Sequence, residues 1–230
     1  MDTSSDRRVV VGPLKTWYDL HEALGHEVRA LADLATGIAA SGVAGFSKRF
    51  EAFDAELRHH SEVEDGIMFP AIVAAGGSVP EHLLDEHRDE QLRVYELGAA
   101  IMAAKGRGDG QTLAALEPLA ATLRDGLLAH LRAEEDEVLG EVDQLFSTEQ
   151  QSALLRTIIS SMPPDPVMQP WVAAALTPEH LEARLRNMAT SLGHDALVGV
   201  LTQIHDGVDA DTWAEVKSRT PDLAALVPGS

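Results

Sequence analysis

At 230 residues the chain is long enough to bury one good core with material left for an appendage. Its composition, 45% hydrophobic and 24% charged, is that of an ordinary globular protein rather than a disordered one, and no apolar run approaches the roughly 18 residues of a membrane span. A formal net charge of −19 repels phosphate backbones and anionic lipid, and the absence of cysteine excludes disulfides, zinc-thiolate sites, iron-sulfur clusters and thiol catalysis. No nucleic-acid or membrane partner is therefore expected, and any metal must use nitrogen and oxygen ligands. The opening MDTSSDRR lacks the apolar core of a signal peptide, which places the chain in the cytoplasm.

After a tail over 1–13, long stretches of Ala, Leu, Glu and Arg with 3.6-residue periodicity predict helices near 14–40, 44–75, 80–105 and 111–147. The breaks fall at Ser41-Gly42, at Gly76 to Pro80 and at Gly106 to Gly110. On the first helix His21 lines up with Leu24, Val28, Leu31 and Ala35, whereas His26 lines up with Glu22, Arg29 and Asp33 and faces water. The second carries the stripe Phe46, Phe50, Phe53 and Leu57, continued by His60, Glu64, Ile67 and Ala71, with His59 on its flank. On the third, His87 continues the stripe of Leu84, Val94 and Ile101, while His82 falls with Glu86, Asp89 and Arg93 on the wet side. The fourth reads Leu116, Ala120, Leu123 and Leu127, then His130, Glu134 and Val138; Glu135 borders the same stripe, so phase favours Glu134 and leaves its neighbour open.

Short connections imply antiparallel neighbours, so residues 14–150 are expected to form an all-α, up-down-up-down four-helix bundle. The proline-rich SMPPDPVMQP then introduces a C-terminal helical extension over 160–230. Thr177-Pro178 and Thr220-Pro221 read as N-cap and first-turn pairs, and Asp209 or Asp211 as the cap of a helix through Trp213. His180 and His194 are expected to face solvent and His205 to pack. The apolar residues from Trp171 to Leu201 offer a surface for docking on the bundle or, as the second choice, for a homodimer contact.

Residues four apart on a helix share a face, so both His60 and Glu64 and, likewise, His130 and Glu134 point inward one turn apart. His82 and Glu86 have the same spacing without the burial, which makes them a weak signal. One inward histidine on each of four helices, with two inward glutamates, buries two formal charges at a cost of several kcal/mol each unless cations compensate them. Imidazole and carboxylate ligands suit iron or manganese, with zinc a rival, and six side chains exceed the needs of a single zinc. Carboxylates can bridge two ions, leaving positions for dioxygen, peroxide or nitric oxide.

The series His21, His60-x-x-x-Glu64, His87, His130-x-x-x-Glu134 resembles the H-HxxxE-H-HxxxE pattern of hemerythrin-like (HHE cation-binding) domains. The segments HHSEVEDGIMFP and HLRAEEDEVL are similar to that family's second-helix and fourth-helix segments, and the resemblance covers about residues 14 to 147. It implies a non-haem diiron centre, two iron ions held by His21, His60, Glu64, His87, His130 and Glu134, in a protein that binds dioxygen or a related small oxidant for storage, sensing or detoxification. A diiron peroxidase, catalase-like or nitric-oxide-handling enzyme, and an iron-responsive interaction protein acting through its extension, are the alternatives. The chain departs from the family's oxygen carriers in lacking His-x-x-x-His on the third helix and in having Gly140 where relatives often have proline, which moves the expected chemistry toward sensing or oxidant handling. Asp65, Glu135 and Tyr18 are candidates to orient a ligand imidazole.

Overall fold

A computed structural model describes residues 12–161 and 168–229; most of the expected N-terminal tail and the centre of the proline-rich stretch lie outside the described residues. Four long helices, α1 (Thr16–Ala35), α2 (Val43–Val63), α4 (Glu81–Arg107) and α6 (Leu116–Glu137), alternate with the short α3 (Phe69–Ala74), α5 (Gly110–Ala114) and α7 (Val142–Leu145). The extension comprises α8 (Thr148–Ser161), α9 (Met168–Ala175), α10 (Pro178–Ser191), α11 (His194–Gly207), α12 (Ala210–Arg219) and α13 (Pro221–Ala224). The described residues are helix, turn or coil with no strand, and no described helix is long and apolar enough to cross a membrane.

Two of the four expected helices are subdivided, each at a proline. The second does not run unbroken to residue 75: a π turn over Glu64–Met68 separates α2 from α3. Pro70 has no N–H to offer the Gly66 carbonyl and its ring crowds that oxygen, while the Phe69 N–H reaches back five residues to the Glu64 carbonyl. The fourth expected helix starts as α5 and restarts as α6, whose first turn accommodates Pro118 where a missing donor costs nothing. It ends at Glu137, and a 3-10 turn through Gly140 leads into α7. Elsewhere the ends follow turn chemistry. Gly108 takes the left-handed conformation (φ 62°) that closes α4, and Asp109 caps α5 by accepting from the Thr112 N–H at 2.8 Å.

The long helices form a closed ring of neighbours, α1 against α2, α2 against α4, α4 against α6 and α6 against α1. Their interior is split. One apolar cluster is built around Leu24, Phe53, Leu97 and Leu123; a second, at the other end, holds Leu14, Trp17, Met68, Phe69, Ile72, Leu83 and Val138. Helices α1 and α4 run from the second cluster to the first, and α2 and α6 run back, so each helix crosses the layer between them once.

The extension folds around its own core of Leu185, Met188, Leu201, Ile204, Trp213 and Val216 and docks on the bundle through α9, whose Met168 and Val172 join the first cluster beside α1. A buried ion pair ties it further: Arg184 of α10 donates to Asp19 at 3.0 Å, to Gln169 at 3.1 Å and to the Thr16 carbonyl at 3.4 Å. Thr177 and Asp209 cap α10 and α12 as expected, with Asp211 taking no part. Thr220 does not cap: its hydroxyl is buried and donates to the Val216 carbonyl one turn back. His180 and His194 are exposed, and His205 rests edge-on against Trp213.

Candidate metal centre

Between the two apolar clusters lies a polar layer to which every long helix contributes. His21, His60, Glu64, His87, His130 and Glu134 are all buried there, while His26 and His82 are exposed. Helical phase explains the sorting: each of the six replaces an apolar residue in its helix's inward stripe, with core residues a turn away on either side.

The layer contains two groupings of four, His21, His60, Glu64 and Glu134 in one and Glu64, His87, His130 and Glu134 in the other, and within each the donor atoms lie within 4.8 Å of one another. Both glutamates belong to both. His60 Nε2 is 3.1 Å and His87 Nε2 3.3 Å from Glu64 Oε2; His21 Nε2 is 3.5 Å from Glu134 Oε2, and His130 Nε2 3.5 Å from Glu134 Oε1. All four Nε2 atoms, Glu64 Oε2 and both Glu134 oxygens are buried without a hydrogen-bond partner. So many orphaned donor atoms facing one point are too costly for a purely structural network, and they form the set of nitrogens and oxygens a pair of cations would satisfy.

The outer faces of the imidazoles are held by carboxylates. His87 Nδ1 is 3.0 Å from Asp65, His130 Nδ1 2.9 Å from Glu86, and His21 Nδ1 3.4 Å from Glu135. An ionised carboxylate only accepts, so the Nδ1 atoms of His87 and His130 carry a proton and their Nε2 atoms are the ones left for a cation, whereas His21 Nδ1, at its longer distance, has no hydrogen-bond partner. Each of these carboxylates is next in sequence to one of the six and serves the neighbouring helix: Asp65 braces α4, Glu86 braces α6 and Glu135 braces α1. The remaining control is on Glu64, whose Oε1 accepts from the Trp17 indole N–H at 2.6 Å.

In the metal-free chain these groups share protons unevenly. Burial pushes both glutamates up, but the histidines around Glu64 overcome it and hold that carboxyl well below the usual range, whereas Glu134 is raised further by the charge of Glu64 and Glu90. His60 is lowered to about 3 by burial, with its three histidine neighbours adding to the effect, and burial lowers His130 also. Burial works against His87 and His21, yet the nearby carboxylates of Glu64 and Asp65 lift His87 to about 9, and those of Glu135 and Glu64 leave His21 raised. A cation would displace the extra protons on Glu134, His87 and His21.

The model of the hemerythrin HHE cation binding domain matches residues 12–142. The chain belongs to that family. It is also 28% identical over 196 residues to the zinc finger protein BRUTUS of Arabidopsis thaliana, an alignment covering 80% of this chain and 15% of that protein. The chain thus spans well under a fifth of the curated relative it matches. No solved structure matches. The hemerythrin-like His/Glu layer is a metal-binding arrangement within an all-helical fold.

Three residues near the hemerythrin-like centre were not anticipated. Glu86 was assigned to water beside His82, but it is half-buried and turned onto His130. Trp17 reads in the sequence as an apolar first-turn residue, and nothing marks its indole as a donor to Glu64. Glu90, one turn beyond His87, is buried with both oxygens lacking a hydrogen-bond partner, and burial lifts its carboxyl to about 8. A carboxylate adjacent in sequence to a ligand would have found Glu86, as it found Asp65 and Glu135. Tyr18 is half-buried at the edge of the second apolar cluster.

Proposed function

We propose that this domain is an up-down-up-down four-helix bundle holding two iron ions and binding dioxygen or a related small oxidant, for storage, sensing or detoxification. The observation that carries the reading is the pair of four-residue groupings sharing Glu64 and Glu134. His21 and His60 would hold one ion, His87 and His130 the other, and the two glutamates would span them. Iron bound there would supply the redox chemistry for a diatomic or peroxide ligand. Manganese and zinc accept the same donors and are the less favoured alternatives.

The chain's own side chains set the terms. Trp17 fixes one oxygen of Glu64, leaving Oε2 for the centre. Asp65 and Glu86 hold the Nδ1 protons of His87 and His130 and so keep those rings oriented and basic, and the Glu135 carboxylate stands 3.4 Å from His21 Nδ1. Phe69, stacked on His87 at 6.0 Å, and the second apolar cluster exclude water from one side of the layer. Four imidazoles and two carboxylates make a centre richer in carboxylate than an oxygen carrier's, which favours sensing or oxidant turnover over carriage. The chain's charge of −19 supports a role without nucleic-acid or membrane partners, and we place that role in the cytoplasm.

Metal analysis of protein from iron-supplied cells, with absorption spectra before and after air, tests the reading. Two irons per chain are expected; a single zinc would overturn it. Turnover of hydrogen peroxide separates the enzyme from a reversible binder. A second reading, a metal-responsive interaction protein, draws on the Arg184–Asp19 pair, which joins the extension to α1 two residues before His21. It expects partner binding to follow metal occupancy.

A further inference from the structure

A cavity of about 60 Å³ lies where the extension meets the bundle. Nearly half of its wall comes from residues beyond the stretch that matches the hemerythrin domain: Leu155, Ile158 and Ile159 of α8, Met168 of α9, and Met188 of α10 among them. On the bundle side it is lined by Leu14, Leu20, Val63 and Met68, and it reaches the metal centre itself, since Trp17, His60 and Glu64 stand in the same wall. His60, at 6%, is the most exposed of the six buried ligand candidates, and the cavity lies on its side of the layer.

We propose that this cavity is a binding chamber for a small, neutral, apolar molecule, and that the C-terminal extension, not the bundle, gives the metal centre this selectivity. The size follows from comparison. A water-sized group needs about 10–15 Å³ and an apolar cavity of about 150 Å³ takes xenon or benzene, so about 60 Å³ admits a molecule of about two to five non-hydrogen atoms. The neutrality follows from the lining. Away from the metal centre most of the wall is apolar, and its one guanidinium, Arg184, is committed to Asp19. An anion entering this part of the space meets apolar side chains and no free guanidinium, and pays its desolvation. Dioxygen, nitric oxide or a short hydrocarbon enters without that penalty.

The chamber rests on the proposed function only for what it leads to, so the two can fail separately. Crystals of the full-length protein, with metal content measured, are pressurised with xenon or soaked with acetate. Xenon is expected between α8, α10 and α1, and acetate is expected to be absent from that space. Met188→Trp and, independently, the half-buried Ile158→Trp are expected to abolish the xenon peak while leaving metal per chain unchanged. Xenon found only elsewhere, xenon surviving both substitutions, or acetate in the chamber would overturn the proposal. Xenon in the chamber of a protein that holds no iron would leave the chamber standing and remove the diiron reading, and two irons with an empty chamber would do the reverse.

Discussion

Replacing Arg184 by methionine removes a charge from a place where its partner has no other counter-ion. The two side chains are 2% and 8% exposed and 3.0 Å apart, so the loss strands the Asp19 carboxylate in an apolar setting. Breaking one side of a buried pair costs about 3–5 kcal/mol, a large fraction of the roughly 5–15 kcal/mol that holds a domain together. With a urea dependence of about 2 kcal/mol per molar, a loss of about 4 kcal/mol lowers the unfolding midpoint by about 2 M. The measurement is a urea titration of metal-free protein followed by circular dichroism, so that cation binding does not add to the stability. Asp19→Leu alone should cost a comparable amount, and the double substitution should recover more than half of the summed loss, because two matched apolar groups leave no charge stranded. A coupling energy under about 1 kcal/mol would refute the argument and mean that the pair does not fasten the extension to α1.

Removing the imidazoles separates the inward residues from the outward: His60→Ala and His130→Ala should each deplete bound iron, whereas His26→Ala and His82→Ala should leave it unchanged, as read by metal analysis. Trp17→Phe keeps the ring area but deletes the donor to Glu64, and competition with a chelator should show metal affinity lower by about 10- to 100-fold. Glu86→Gln should weaken binding over the same range, and an unchanged affinity would mean the His130 ring needs no brace. Glu90 gives a pH signature in the metal-free protein: its carboxyl holds its proton up to about 8 when folded and releases it near 4.5 when unfolded, so its contribution to stability is intact below about 4.5 and declines as pH rises toward 8. Glu90→Gln should therefore melt higher than the parent at pH 8, with the gap closing by pH 5.

The four long helices and the inward set were legible because each ligand candidate interrupts an otherwise apolar stripe, and a 3.6-residue period identifies the buried face without further information. Flank positions were not. Glu86 and Asp89 lie on the same outer side of α4 by phase, yet only Glu86 is close enough to α6 to bond His130, and that depends on where the neighbouring helix runs. The interruption at Glu64–Met68 was signalled by Pro70, which was noted only as part of a motif. Arg184 illustrates a different limit: its partner is 165 residues away, and no local pattern in α10 distinguishes it from the solvated arginine two residues on.

The π turn gives the second helix one residue more than an unbroken ladder of the same height would use. Because each residue of an α-helix turns the chain by about 100°, that surplus acts as a rotary offset for everything downstream. It lets Phe69, five residues after the inward Glu64, lie flat on the His87 ring while Asp65 reaches across to the same ring. Point substitutions cannot reproduce or cancel such an offset, since they alter side chains and leave the count untouched. Shortening the segment by one residue would let an unbroken ladder of the same height form, with Phe69 still over His87 but the residues inside the turn, Asp65 among them, changed in phase, so fidelity of one half of the centre is stored in the number of residues there as much as in their identity.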